Sequence, residues 1–269
     1  MLVFFNLWVW SHILGGRSGD LYLDFLSVGQ GDSEIISLPS GPIIVVDGGP
    51  DGKVVPEVER SLKKGKYIDI MILTHPHADH YVGLAELVRR YDIGVLLLPE
   101  AKSSSPAFLD FLEYAEKTDL MVVHIGEGDR ITSGEMKMDF LSPSVDDGIS
   151  DMNARSIVFM FEHRGVRALF TGDIGEKQEK RMIGLYDMDA DILKVPHHGS
   201  SGSSSSAFLA EVGPAVSVVE VGDGNRYGFP TVAALDRLKA AGSAIYRTDT
   251  DGTLRIVPGD KGLKILKMK

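Results

Sequence analysis

Residues 68–80 read Ile68-Asp69-Ile70-Met71-Ile72-Leu73-Thr74-His75-Pro76-His77-Ala78-Asp79-His80. The first half is an apolar run that predicts a strand over Ile68–Thr74. The second half carries three histidines and an aspartate within six residues. Pro76 biases His75 away from the helical region and keeps it extended. In an extended segment, residues two apart face the same side, so His75 and His77 can grip one ion. Asp79 lies at the turn into the next helix, where it can cap or ligate. His80 opens that helix and can face a second ion. Leu84, Leu87, Val88 and Tyr91 follow at i, i+3, i+4, i+7 spacing, which predicts that the helix continues over Ala85–Tyr91. Such a cluster has little structural use, whereas the isolated His12, His124 and His163 read as satisfied surface or core residues.

The same arrangement recurs along the chain. Apolar runs lead into Asp47-Gly48-Gly49, into Gly172-Asp173 and into His197-His198-Gly199-Ser200. In open α/β sheets, ligands bind outside the carboxyl ends of the strands. If these strands are neighbours, their His and Asp residues converge on one edge. Asp173 is short and can bridge two ions, while Asp47 is better placed to hold a ligand imidazole from behind. Two ions about 3.5–4 Å apart activate a water and clamp a phosphoryl or carbonyl oxygen.

The rest of the sequence bounds the answer. The 269 residues are 43% hydrophobic and 25% charged, with net charge -10. That composition is globular, long enough for a full core and too acidic to coat DNA through a broad basic face. There is no cysteine, which removes disulfides and thiolate metal sites, so any metal is held by His, Asp, Glu or Asn. Consecutive strands are predicted over Leu21–Leu26, Glu34–Leu38 and Pro42–Val46, with further strands and helices interleaved and no linker, which favours one layered α/β domain over residues 20–269. Residues 1–19 stand apart. Their core, Met1–Leu14, is the most apolar stretch of the chain, and as a helix it would span roughly 21 Å against a ~30 Å hydrocarbon core. It predicts a signal or anchor segment, and so an exported or membrane-attached protein on the extracytoplasmic face.

With these segments, the sequence resembles the metallo-β-lactamase superfamily. More narrowly, it resembles the carboxy-terminal hydrolase domain of ComEC-type DNA-uptake channel proteins. The stretches that carry this are Val28-Gly29-Gln30-Gly31-Asp32-Ser33, Asp47-Gly48-Gly49, the His75–His80 cluster, Asn153 with Ser156, Thr171-Gly172-Asp173, Lys194-Val195-Pro196-His197-His198-Gly199-Ser200, and Asn225-Arg226-Tyr227-Gly228. The resemblance implies a four-layer αββα sandwich, two divalent ions (Zn²⁺ or Mn²⁺) and a nuclease role in DNA uptake, with a membrane channel as a partner. The implied metal ligands are His75, His77, Asp79, His80, Asp173 and His197. Catalysis falls to Asp79, Asp173 and His197. Asp32, Asp47, Asn153, Ser156, His198 and Phe229 back the ligands or face substrate. The sequence departs from the pattern in three places. Between the His cluster and Asp173 only His124 and His163 occur, neither in a matching context, so one site is expected to be ligand-poor or to take an amide oxygen such as that of Asn153. Ser27 stands where the group commonly has Asp. Phe229 stands where it commonly has a proton-donating His, and Phe229 stacking on a base is an alternative use.

Two enzyme functions compete on this reading. One is a phosphodiesterase on DNA, with Lys194, Ser200, Ser201, Asn225 and Arg226 contacting phosphate. The other is a metallo-hydrolase of a small ester, amide or thioester. A catalytically weakened DNA-binding module is the non-enzymatic alternative.

Overall fold

The computed structural model describes residues 20–39, 41–62, 65–100, 103–144, 151–259 and 262–268. The apolar segment at residues 1–19 lies outside them. The chain opens with an antiparallel meander, β1 (Tyr22–Phe25), β2 (Glu34–Ser37) and β3 (Ile43–Val46). Helical crossovers then add parallel strands. Helix α1 (Val54–Leu62) leads to β4 (Tyr67–Ile72), α2 (Ala78–Leu87) to β5 (Asp92–Leu98), and α3 (Pro106–Lys117) to β6 (Val122–His124).

The second half repeats the scheme. A meander of β7 (Arg130–Ser133), β8 (Met136–Ser142), β9 (Val158–His163) and β10 (Val166–Phe170) precedes crossovers through α4 (Glu176–Met182) to β11 (Ile192–Lys194), α5 (Ser206–Val212) to β12 (Val216–Val219), and α6 (Val232–Ala240) to β13 (Ala244–Arg247). A single helical turn, α7 (Thr248–Asp251), returns the chain to the first sheet as β14 (Thr253–Gly259) and β15 (Gly262–Met268). The strand orders are β15-β14-β1-β2-β3-β4-β5-β6 and β13-β12-β11-β10-β9-β8-β7.

Side-chain alternation makes the layers. In β3 all four residues are buried, with Ile44 and Val46 facing the second sheet while Ile43 and Val45 face helices. Between the sheets lies a core of strand residues that includes Phe25, Ile72, Phe140, Phe159 and Phe170. Phe159 and Phe170 stack with ring centroids 4.7 Å apart. The outer face of the first sheet packs on α1, α2 and α3 through Val58, Leu84, Leu87, Phe108 and Phe111. The outer face of the second packs on α4, α5 and α6 through Met182, Phe208 and Leu238. Each sheet is thus apolar on both faces, as sheets covered by crossovers must be. The result is the αββα sandwich that the resemblance implies.

Two local expectations shift. The helix after the His cluster spans Ala78–Leu87 and ends before Tyr91, although Leu84, Leu87 and Tyr91 are buried as the spacing requires. Helix α1 escapes the sequence pattern because Pro56 reads as a breaker. It lies in the first turn, where its missing N–H costs nothing.

Candidate metal centre

The site is assembled from the carboxyl ends of two parallel strand pairs on different sheets, β3–β4 and β10–β11. Asp47, just after β3, adopts φ 50°. Its Oδ1 accepts from the Thr74 backbone N–H at 2.8 Å and its Oδ2 from the Thr74 hydroxyl at 2.6 Å. The same Oδ2 lies 2.7 Å from His80 Nδ1. The carboxylate therefore places the Nδ1 proton of His80 and aims Nε2 at the opposite sheet. That requires α2 to lie against the loop after β3, and two glycines allow it. Gly48 N–H donates to His80 O at 2.7 Å and Gly83 N–H to Gly49 O at 3.0 Å. A Cβ on Gly83 would sit 1.7 Å from Gly48 O.

From the other sheet come Asp173 and the histidine pair. The Asp173 N–H donates to Ser156 Oγ at 3.1 Å. His197 and His198 both occupy the left-handed region, at φ 51° and 52°, a strained backbone that clusters at functional sites. His198 Nδ1 donates to Glu220 O at 2.9 Å. That leaves Nε2 free to carry a proton or a cation, 3.5 Å from both Asp79 Oδ2 and Asp173 Oδ2. His80 Nε2 is 3.5 Å from Asp173 Oδ2 and 3.9 Å from Asp79 Oδ2. His75 and His77 face each other with Nε2 and Nδ1 3.1 Å apart.

The electrostatics follow from packing these groups together. Burial opposes charge on His80, but Asp47 and Asp173 outweigh it and hold its pKa well above that of a free imidazole. Burial is likewise overcome at His198 by Asp173 and Asp32, which push it up to about 10. Burial would raise Asp173, yet His198, His80 and Lys194 keep it well below the usual carboxylate range. His75, buried beside His80, is held well below a free imidazole.

The donor set fits divalent cations. His80 Nε2, His198 Nε2 and Asp173 Oδ1 are buried without hydrogen-bond partners. His75, His80 and Asp173 bring ligand atoms within 4.8 Å of one another, as do Asp79, His80 and His198, and Asp32, Asp173 and His198. Imidazole and carboxylate donors without thiolate suit ions such as Zn²⁺ and Mn²⁺.

Several expected residues stand elsewhere than the sequence suggested. His198 is the histidine turned into the cluster. His197 is part-exposed, 3.5 Å from Asn153 Nδ2 and 3.9 Å from Asp173 Oδ2, and it belongs to none of the three groups above. The left-handed turn is the reason, since strand alternation does not apply there. Lys194, expected to contact phosphate, faces inward. Its ammonium is buried, paired with Asp32 and donating to Gly172 O at 2.9 Å. Ser200 is buried and donates to Ser203. Asn225 pins its own loop, accepting from Tyr227 N at 3.2 Å and Phe229 N at 3.0 Å and donating to Phe229 O at 2.7 Å. Arg226 is exposed at the rim. Asn153 Oδ1 is buried and unpartnered. Sequence reasoning missed Thr74, Glu34 and Glu220. Glu220 follows β12 as Asp47 follows β3, so the same strand-end rule would have found it.

A two-sheet sandwich with a His/Asp cluster on its strand ends defines a metal-dependent hydrolase of the metallo-beta-lactamase superfamily. Residues 27–219 match that superfamily, and the chain belongs to it. It is 28% identical to ComE operon protein 3 of Bacillus subtilis over 253 residues, 87% of this chain and 32% of that protein. It is 36% identical to competence protein ComA of Neisseria gonorrhoeae over 133 residues, 49% of this chain and 19% of that protein. The chain thus spans a third or less of these relatives. In fold it is similar to the metallo-beta-lactamase fold protein YhfI of Bacillus subtilis, with TM-score 0.58, 12% identity, and 88% and 100% of the two chains covered.

Proposed function

We propose that this chain is a phosphodiesterase that cleaves DNA with two divalent ions, Zn²⁺ or Mn²⁺, at the His/Asp cluster. The observation that carries the reading is the pair of buried, unpartnered Nε2 atoms of His80 and His198, each 3.5 Å from Asp173 Oδ2. His75 and His77, whose Nε2 and Nδ1 lie 3.1 Å apart, would hold one ion. Asp79, His80 and His198 would hold the other, with Asp173 within reach of both sets. Ions bound there would lower the pKa of a water and polarise the phosphoryl oxygen. Asp79, a third exposed at the mouth, accepts the proton of the attacking water. Phe229 offers no proton to the leaving oxygen, which takes one from solvent.

Similarity to a protein named for competence, the capacity to take up DNA, supports DNA as substrate and a membrane DNA-uptake channel as partner. The apolar residues 1–14 support export or membrane attachment, on the extracytoplasmic face. Among the described residues, no helix is long and apolar enough to cross a membrane.

The test uses protein stripped of metal and reloaded with Mn²⁺ or Zn²⁺, incubated with single- and double-stranded DNA. Cleavage should depend on metal and disappear in Asp173→Asn. Loaded protein that leaves both DNA forms intact while hydrolysing p-nitrophenyl acetate would overturn the reading in favour of a small-ester hydrolase.

A further inference from the structure

Beside the cluster, a short loop carries aromatic rings outward to solvent. Phe229 lies with its ring centroid 5.7 Å from that of His197 and 6.4 Å from that of His198. It is half-buried against the outer core of the second sheet, so its own face is spoken for. The next ring out, Tyr227, stacks on Phe229 with centroids 5.7 Å apart and planes 17° apart, and it is 52% exposed. The Arg226 guanidinium lies 5.0 Å from the Tyr227 centroid and donates to its hydroxyl at 2.9 Å. The loop is held on both sides. Asn225 spans it with its amide, and Thr231 N–H donates to Gly199 O at 2.9 Å, tying the loop to the turn that carries the two histidines. A large exposed ring next to an arginine, on a pinned loop one aromatic away from the metal centre, has no packing role that explains its exposure.

We infer that Tyr227, backed by Phe229 and flanked by Arg226, is a stacking step for a nucleobase of an unpaired strand next to the phosphodiester being cleaved. The inference rests on the phosphodiesterase reading and adds its substrate form. A base inside a duplex has both faces covered by its neighbours, whereas an unpaired base offers a free π-face. Base–aromatic stacking is tolerant of sequence, and arginine beside it serves both the base plane and the phosphate. The His198, Phe229 and Tyr227 rings follow one another from the buried cluster out to solvent.

The experiment measures binding separately from cleavage. Metal-free protein is titrated into a fluorescein-labelled twelve-nucleotide single strand, into the same strand with one abasic position moved stepwise along it, and into the matching duplex. Tyr227→Ala should weaken single-strand binding roughly five- to hundredfold, the range of a lost base stack. Tyr227→Phe should remain within about twofold, because the ring and not the hydroxyl stacks. One abasic position should weaken wild type and leave Tyr227→Ala unaffected. The duplex should bind wild type and Tyr227→Ala alike. Equal single-strand affinity of wild type and Tyr227→Ala, an equal loss on the duplex, or no single-strand binding by wild type would each overturn the inference. Cleavage with Mn²⁺ or Zn²⁺, scored on the same oligonucleotides, reports the phosphodiesterase reading independently. Cleavage that persists unchanged in Tyr227→Ala sinks the stacking step alone, whereas absent cleavage with intact base-dependent binding sinks the chemistry alone.

Discussion

Gly83→Ala sets helix propensity against packing. Inside a helix, Ala is favoured over Gly by about 1 kcal/mol, so α2 taken alone would gain. In the fold, the added Cβ would lie 1.7 Å from Gly48 O, 2.5 Å from Gly48 C and 2.8 Å from Val54 Cγ1. Regaining van der Waals contact means moving α2 away from the β3 loop by roughly 1.5 Å or more. Overpacking of that kind costs about 1–3 kcal/mol. The bonds from Gly48 N–H to His80 O and from Gly83 N–H to Gly49 O stretch as well, at about 1 kcal/mol each. After subtracting the propensity gain, the net loss is about 2–4 kcal/mol. For a domain of this size, that lowers the Tm by roughly 5–15 °C. The same displacement draws His80 from Asp47, which should weaken metal binding about 10–100-fold, as loss of an imidazole's supporting carboxylate does. Scanning calorimetry of metal-stripped protein reads the first effect, and Zn²⁺ titration calorimetry the second. A Tm at or above wild type, with unchanged Zn²⁺ affinity, would refute the claim that the Gly48–Gly83 crossing positions His80.

Phe229→His puts an imidazole beside His197, where the family pattern has one. If a proton donor is what this chain lacks there, single-strand turnover should rise tenfold or more, toward the 10²–10⁴ typical of general acid catalysis; unchanged turnover would leave Phe229 as packing and as backing for Tyr227. Glu34 tests the buried acid pair behind the cluster. Burial first, then the neighbouring Glu220, raise its pKa well above the ordinary 4.5. A raised carboxyl favours folding below pH 4.5 and loses that contribution as pH rises through its folded value. Glu34→Gln cannot ionise, so it should match wild type in urea midpoint at pH 4.5 and exceed it at pH 8. A gap of the same size at both pH values would show that the pair does not titrate.

Much of this was legible in the sequence because strand ends and histidine spacing are local signals. Four apolar runs leading into Asp47, His75, Asp173 and the His197–His198 pair marked candidate residues that the structure gathers at one cluster. What the pattern could not carry was handedness and depth. The left-handed turn at His197 and His198 decides which imidazole enters the cluster, and no side-chain period encodes it. Lys194 reads as a phosphate contact at a strand end, yet β11 is sealed on both faces, and its ammonium meets Asp32, Asp173 and the Gly172 carbonyl. The division into two sheets came from the family resemblance and not from the strand pattern, which does not show that β3–β4 and β10–β11 lie in opposite layers; the chain passes from one sheet to the other between β6 and β7. The three-residue β6 was too short to register, whereas β8, with seven residues that alternate Met136, Met138 and Phe140 inward, carried a strand signal that sequence reasoning passed over.

Because Asp47 to His80 hang from one layer and Asp173 to His198 from the other, any ion between them closes a seam. Such an ion would take ligands from both layers, so the loss of one ligand would leave it held by the other. An ion in this position would be as much a rivet as a reagent.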